Sequence, residues 1–230
     1  MEGKTYKKPF TISLEGNVGS GKTRLINYLK EQDDMKGIIF IDEQLDKWQN
    51  FNGKNLLKMF YENPKRWSFT FQSCALLSMI ERQLPSENAE IRIMERSPCS
   101  SLKIFAHSMY TSEYISEVEK DTLTNWLKLL NDSGTVNLKL DGIVYVKTSV
   151  PVAMDRISFR NREGEEHLTE GYAEELDKAH EKWLSEDYVQ DKMCIVNGDK
   201  MGKDIIEEYG KVINWIKQKK IERDGNWLKQ

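Results

Sequence analysis

The sequence predicts an α/β fold, a five-stranded parallel sheet flanked by helices, on three observations. Five short apolar runs, one starting at Phe10 and the others at 37–41, 91–94, 141–146 and 193–197, have the length and content of buried strands. The stretches between them can each hold a helix, and some carry apolar residues on one helical face, as Leu25, Ile26 and Leu29 do. A glycine-rich turn joins the first run directly to the first of these helices. Strands that alternate with helices all run the same way, which makes the sheet parallel.

The first strand empties into the glycine-rich turn, and a helix is expected over 23–31. The continuous apolar run 37–41 marks a strand buried on both faces, and it ends in two carboxylates, Asp42 and Glu43. Helices are expected over 54–62, stopped by Asn63 and Pro64, and over 67–82, ended by Pro85 and Ser86. The third strand runs into Glu95, Arg96, Ser97 and Pro98, where Ser97 suits a helix cap and Pro98 a first turn. Helices follow over 99–109 and 116–131, then the fourth strand and a helix over 151–162 that breaks at Glu163 and Gly164. A helix over 171–185, the fifth strand and a helix over 203–217 complete the fold, leaving 217–230 as a charged, solvated tail. No repeat, low-complexity tract or linker divides the chain, so residues 1–230 are expected to form one domain.

Composition narrows the function. With 34 Lys and Arg against 37 Asp and Glu, the net charge of −3 argues against a nucleic-acid-binding surface. Cys74, Cys99 and Cys194 lie far apart without a C-x-x-C pair, which implies reduced thiols in a cytoplasmic setting. The N-terminus lacks the apolar core of a signal peptide, and no apolar run approaches the ~20 residues that cross a bilayer. The expectation is a soluble protein that engages neither membrane nor nucleic acid.

The glycine-rich turn is where the chemistry begins. Gly16, Gly21, Lys22 and Thr23 fill every fixed position of G-x-x-x-x-G-K-[ST]. Through Gly16, Asn17, Val18, Gly19, Ser20 and Gly21 the backbone can curl until successive N–H groups face one phosphate, at the positive end of the next helix. Lys22 then supplies a mobile charge for the β and γ phosphates, and Thr23 a hydroxyl for Mg²⁺. Strand before and helix after make this a P-loop NTPase-type three-layer fold that binds a nucleoside triphosphate. Such a loop alone serves a kinase, a GTPase switch or a motor equally well.

The second substrate is indicated by a resemblance. Residues 46–57, 63–67 and 69–73, with Glu95, Arg96, Ser97 and 156–183, are similar to the deoxynucleoside kinases, notably the insect and mitochondrial thymidine kinase branch. That likeness covers most of the chain, from about 10 to 199, and implies an ATP- and Mg²⁺-dependent kinase acting on deoxynucleosides. It places the catalytic carboxylate at Glu43, where relatives have Glu-Pro and this chain has Glu43 and Gln44; Asp42 competes for the role. Arg96 matches the arginine that contacts this acid and the nucleoside's 5′ end, and Glu95 the Mg²⁺-linked acid. Gln72 matches the amide that pairs with the base, which can present a donor and an acceptor in either order to thymine or cytosine. Phe71, Phe105, Trp48, Ala75, Met79 and Met109 fall on base-pocket positions. All are uncharged, which favours pyrimidines. Tyr61 and Glu165 match the pair that bonds the sugar 3′-hydroxyl, and Arg156, Arg160 and Arg162 an arginine-rich lid at about 156–170 that closes over the triphosphate. The resemblance also implies a homodimer packed through the helices at 99–109 and 116–131. A nucleoside monophosphate kinase, or a nucleotide-dependent switch without an acceptor, are the alternatives.

Overall fold

The computed structural model describes residues 9–83, 90–134, 136 and 138–227. In chain order the main elements are β1 (Phe10–Glu15), α1 (Lys22–Lys30), β2 (Ile38–Ile41), α2 (Leu45–Gln49), α3 (Leu56–Glu62), α4 (Pro64–Glu81) and β3 (Ile91–Glu95). After these come α5 (Pro98–Ser100), a π-helical segment (Ser101–Ala106), α6 (His107–Thr111) and α7 (Glu117–Asp132). Then follow β4 (Gly142–Lys147), α8 (Val150–Arg160), α9 (Glu170–Leu184), α10 (Asp187–Gln190), β5 (Met193–Asn197) and α11 (Gly202–Trp227).

The five strands form one parallel sheet in the order β2-β3-β1-β4-β5. Alternation along the strands divides the core. Ile12, Leu14, Val144 and Val146 face α1 and α11, packing on Leu25, Ile26, Leu29, Tyr209, Val212 and Ile216. From β4, Ile143 and Tyr145 instead pack against Ile104 of the π-helical segment and Leu176 and Trp183 of α9. A third apolar cluster, built from α2, α3, α4, α6 and α7, lies among the helices themselves. Register brings the functional ends together: Leu14 pairs with Glu95 and Ile41 with Met94, so β1, β2 and β3 end along one margin. That margin, at the carboxyl ends of parallel strands, is where open α/β sheets bind ligands.

Several expectations need correction. β2 is an edge strand, and all four of its residues are only partly covered rather than buried on both faces. One neighbour and thinner helical cover account for this. α3 does stop at Glu62, ahead of Asn63 and Pro64, but Pro64 also opens α4, three residues before the expected start at 67, with the Asn63 side chain accepting the N–H of Arg66 as its cap. The tail does not leave the fold at 217, since α11 runs on to Trp227; only 228–230 lie outside the described residues. No described helix is long and apolar enough to cross a membrane.

Candidate active site

Glycine geometry shapes the phosphate loop. At Gly16 (φ 145°) a Cβ would lie 2.6 Å from the carbonyl of Val146, and at Gly19 (φ 77°) 2.5 Å from that of Ala153 on α8. Neither site admits a side chain. Arg156 Nη1 and Thr148 Oγ1 both donate to the Ser20 carbonyl, at 3.2 and 3.0 Å, pinning the loop from behind. Asn17 is buried, its amide donating to the Ala173 carbonyl at 2.8 Å and its oxygen accepting the N–H of Val18. Lys22 Nζ donates to the carbonyls of Gly16 (3.0 Å) and Asn17 (2.8 Å). Burial, then the nearby Arg96, push its ammonium down to about 7.

Beside the loop stand the strand-end residues. Arg96 Nε donates to Glu43 Oε1 at 2.8 Å, and Arg96 Nη1 donates to the Gly16 carbonyl at 3.2 Å. The Arg96 guanidinium also lies 4.6 Å over the Phe105 ring. Its backbone is left-handed (φ 60°), a costly conformation for a non-glycine residue, held by Arg96 N–H donating to the Leu14 carbonyl. Burial pushes the Glu43 carboxyl up, but Arg96, Lys22 and Arg82 outweigh it and hold it below its usual range. Asp42, the competing acid, has a side chain 54% exposed and ion-paired to Lys30 at 2.6 Å; that of Glu43 is 13% exposed. Only Glu43 of the two lines the cavity described below.

Glu95 is buried, and burial followed by the charge of Glu43 raises its carboxyl. Thr23 Oγ1 donates to both of its oxygens, at 3.0 and 3.2 Å. Hydroxyl and carboxylate thus sit together as an oxygen-only donor set, which suits a hard cation. No group of three or more His, Cys, Asp or Glu among the described residues could hold a metal alone. A cation here would draw its other ligands from phosphate and water.

On the other side, α4 turns Phe71, Gln72, Ala75 and Met79 toward Trp48 and Phe60. The Phe60 and Phe71 rings stack at 4.8 Å, and Trp48 meets Phe71 edge-on at 5.6 Å. Gln72 Nε2 donates to the Ser101 carbonyl (2.7 Å) and hydroxyl (2.6 Å), which fixes the amide's orientation because a carbonyl can only accept. Toward the lid, Arg160 forms a two-point pair with Glu165 (2.6 Å each) and Arg162 Nη1 adds a third bond at 3.0 Å. Burial, then the charge of Glu165, raise the hydroxyl pKa of Tyr61.

These groups line one cavity of about 550 Å³. It brings together Val18, Gly19, Ser20, Gly21, Lys22, Thr23, Glu43, Trp48, Tyr61, Phe71, Gln72, Ala75, Met79, Glu95, Arg96, Phe105, Arg156, Arg160, Arg162 and Glu165. Gly16 and Asn17 support the loop without lining it. Met109, expected at the pocket, is fully buried in the same apolar cluster as Phe71, Ala75 and Met79 and does not line the cavity. Sequence reasoning missed Leu57, Phe60, Ser101 and Tyr172, which line the aromatic pocket. Helical spacing could have found Phe60, four residues after Leu56 and three after Leu57 on one apolar face of α3; Ser101 shows no sequence signal, since its role depends on a π-helical turn.

The family model for deoxynucleoside kinases matches residues 12–222. Deoxycytidine kinase from Homo sapiens is 32% identical, covering 94% of this chain and 92% of the relative, and that from Mus musculus is 34% identical, covering 83% and 82%. Mitochondrial thymidine kinase 2 from Macaca fascicularis is 31% identical, covering 77% of this chain and 65% of its own length.

Proposed function

The chain belongs to the deoxynucleoside kinase family, and from that premise we propose that it carries the γ-phosphoryl group of ATP to the 5′-hydroxyl of pyrimidine deoxynucleosides in nucleotide salvage. One observation carries this reading: Arg96 touches the phosphate loop at Gly16, the acid Glu43 and the aromatic ring of Phe105 at once. A donor phosphate and an acceptor hydroxyl bound at those two ends would meet at Glu43. The relatives named for deoxycytidine and thymidine, and the uncharged lining at Ala75 and Met79, support the pyrimidine preference.

In this mechanism Trp48, Phe71 and Phe105 hold the base and Gln72, its amide nitrogen bonded to Ser101, offers its oxygen to the base edge. Tyr61 and Glu165 bond the 3′-hydroxyl, which discriminates against sugars lacking it. Glu43 accepts the 5′-hydroxyl proton as that oxygen bonds to the γ phosphorus, while the bond from phosphorus to the β–γ bridging oxygen breaks and ADP leaves. Loop amides with Lys22, and Arg156, Arg160 and Arg162 from the lid, balance the charge that builds on the transferring group. Mg²⁺ held by Thr23 and Glu95 would neutralise the phosphates. The chain works as one domain with its lid at about 156–170. The unpaired Cys74, Cys99 and Cys194 suit a cytoplasmic location. Exposed Val118 (75%), Trp126 (47%) and Leu129 (67%) on α7 support a homodimer through that helix.

The test is a coupled ADP-release assay with thymidine, deoxycytidine, deoxyadenosine and deoxyguanosine. Turnover fastest with the pyrimidines is expected. Turnover with none of the four, activity on thymidine monophosphate but not thymidine, or ATP consumption indifferent to any nucleoside would each overturn the reading.

A further inference from the structure

A half-buried cation outside the matched motif positions stands behind the strand-end acids. Arg82 is the last residue of the α4 region, ten residues past Gln72 on the same helical path. Its Nη1 donates to the Asp42 carbonyl at 2.5 Å and to the Glu95 carbonyl at 3.3 Å. The Glu95 carbonyl ends β3 and the Asp42 carbonyl lies one residue past the neighbouring β2, and they directly precede Arg96 and Glu43, residues 53 apart in the chain but bonded to each other. Its Nε is buried without a partner. A buried Nε–H left unmatched is a net cost unless the rest of the guanidinium is used nearby. The charges facing it are those of Glu43, Glu95, Asp42 and Glu15.

We propose that Arg82 is a positioning residue for phosphoryl transfer, clamping the ends of β2 and β3 so that Glu43 and Arg96 meet in their reactive arrangement. The inference rests on the kinase reading of the site. A guanidinium is suited to the task because the two N–H groups of Nη1 are held at fixed angles in its plane and reach one carbonyl each, whereas a lysine ammonium is a freely rotating point charge. Because α4 also carries Phe71, Gln72, Ala75 and Met79, one rigid element fixes the acceptor's aromatic pocket at its middle and the acid at its end. Arg82 touches neither the phosphate loop nor the pocket, so its loss should leave ground-state binding intact.

Two variants and two readouts test this. Arg82→Met is expected to lower kcat by on the order of 10²-fold with the KM for thymidine changed less than about threefold, and Arg82→Lys to recover part of the loss. Amide hydrogen exchange should quicken about tenfold or more over residues 41–46 and 94–98 in Arg82→Met, while 70–79 of α4 stays as protected as before. If Arg82→Met does not fold, Arg82→Lys carries both readouts. Unchanged exchange at both strand ends, kcat within about twofold, or a loss confined to KM would overturn the proposal. An unsubstituted chain that turns over no deoxynucleoside would defeat the kinase reading; faster exchange in the variant would still support the clamp.

Discussion

At the residue scale the site is a balance of buried charges, and its members differ in how far the sequence disclosed them. Glu43 is preferred over Asp42 in the sequence only by its matching position, since both are acids at one strand end. The structure separates them physically: Lys30, one helix away, takes up the Asp42 carboxylate at the surface while Arg96 turns Glu43 inward. Replacing Glu43 with Gln keeps shape and hydrogen bonding but removes the proton acceptor. Nucleoside affinity should stay within a few-fold by calorimetry while kcat drops by ~10²-fold or more. Near-normal turnover would move the base elsewhere. Gly19→Ala forces a methyl group against the Ala153 carbonyl in a left-handed backbone, and should cost about 1–3 kcal/mol of stability and weaken ATP binding. Equal melting temperatures with and without the substitution would refute that account. Arg82 and Ser101 were illegible in the sequence because their partners are backbone carbonyls and amides brought near only by the fold.

At the scale of elements, period and punctuation marked the strands well and the helix ends less so. Pro64 reads as a stop, and α3 does end before it; that it is also a start shows only once Asn63 turns its side chain onto the next helix's first turn. The π-helical turn at Ser101–Ala106 has no composition of its own, yet it sets both Ser101 and Phe105 on the cavity wall. The join between β5 and α11 gives a pH prediction. Glu208 is buried, accepts bonds from Lys211 and Lys200, and accepts the N–H of Asn197 at the end of β5. The Lys211 bond first, then that N–H, hold its carboxyl down to about 2. A depressed carboxyl stabilises the fold above its unfolded value near 4.5, and the contribution fades as pH falls toward 2. Glu208→Gln should therefore lose about 1–3 kcal/mol at pH 7, with the gap to the parent protein narrowing at pH 3. A gap of equal size at both pH values would show that charge is not what binds this corner.

For the whole molecule, alternation of strand and helix made a parallel sheet legible, but the strand order was not. Order depends on which faces the helices cover, and that is settled by the total burial of Ile12, Leu14 and Val144 rather than by any local run. It is this order that leaves β2 at the edge and brings three strand ends to a shared margin. Assembly is open to a direct check. Light scattering should give twice the chain mass, and Leu129→Glu on the exposed face of α7 should shift it toward the monomer with helix content unchanged. A monomer before substitution would dismiss this interface. The close seat of Gly19 under α8 has a bearing on motion as well. With no gap between that helix and the loop beneath, its first turns are wedged, and a swing over the donor must find its fulcrum further along. Asn161 (φ 45°) and Gly164 (φ 93°) are the two left-handed joints available there. Arg156, tied to the Ser20 and Gly198 carbonyls, would then stay in place while Arg162 moved if the proposed lid swings.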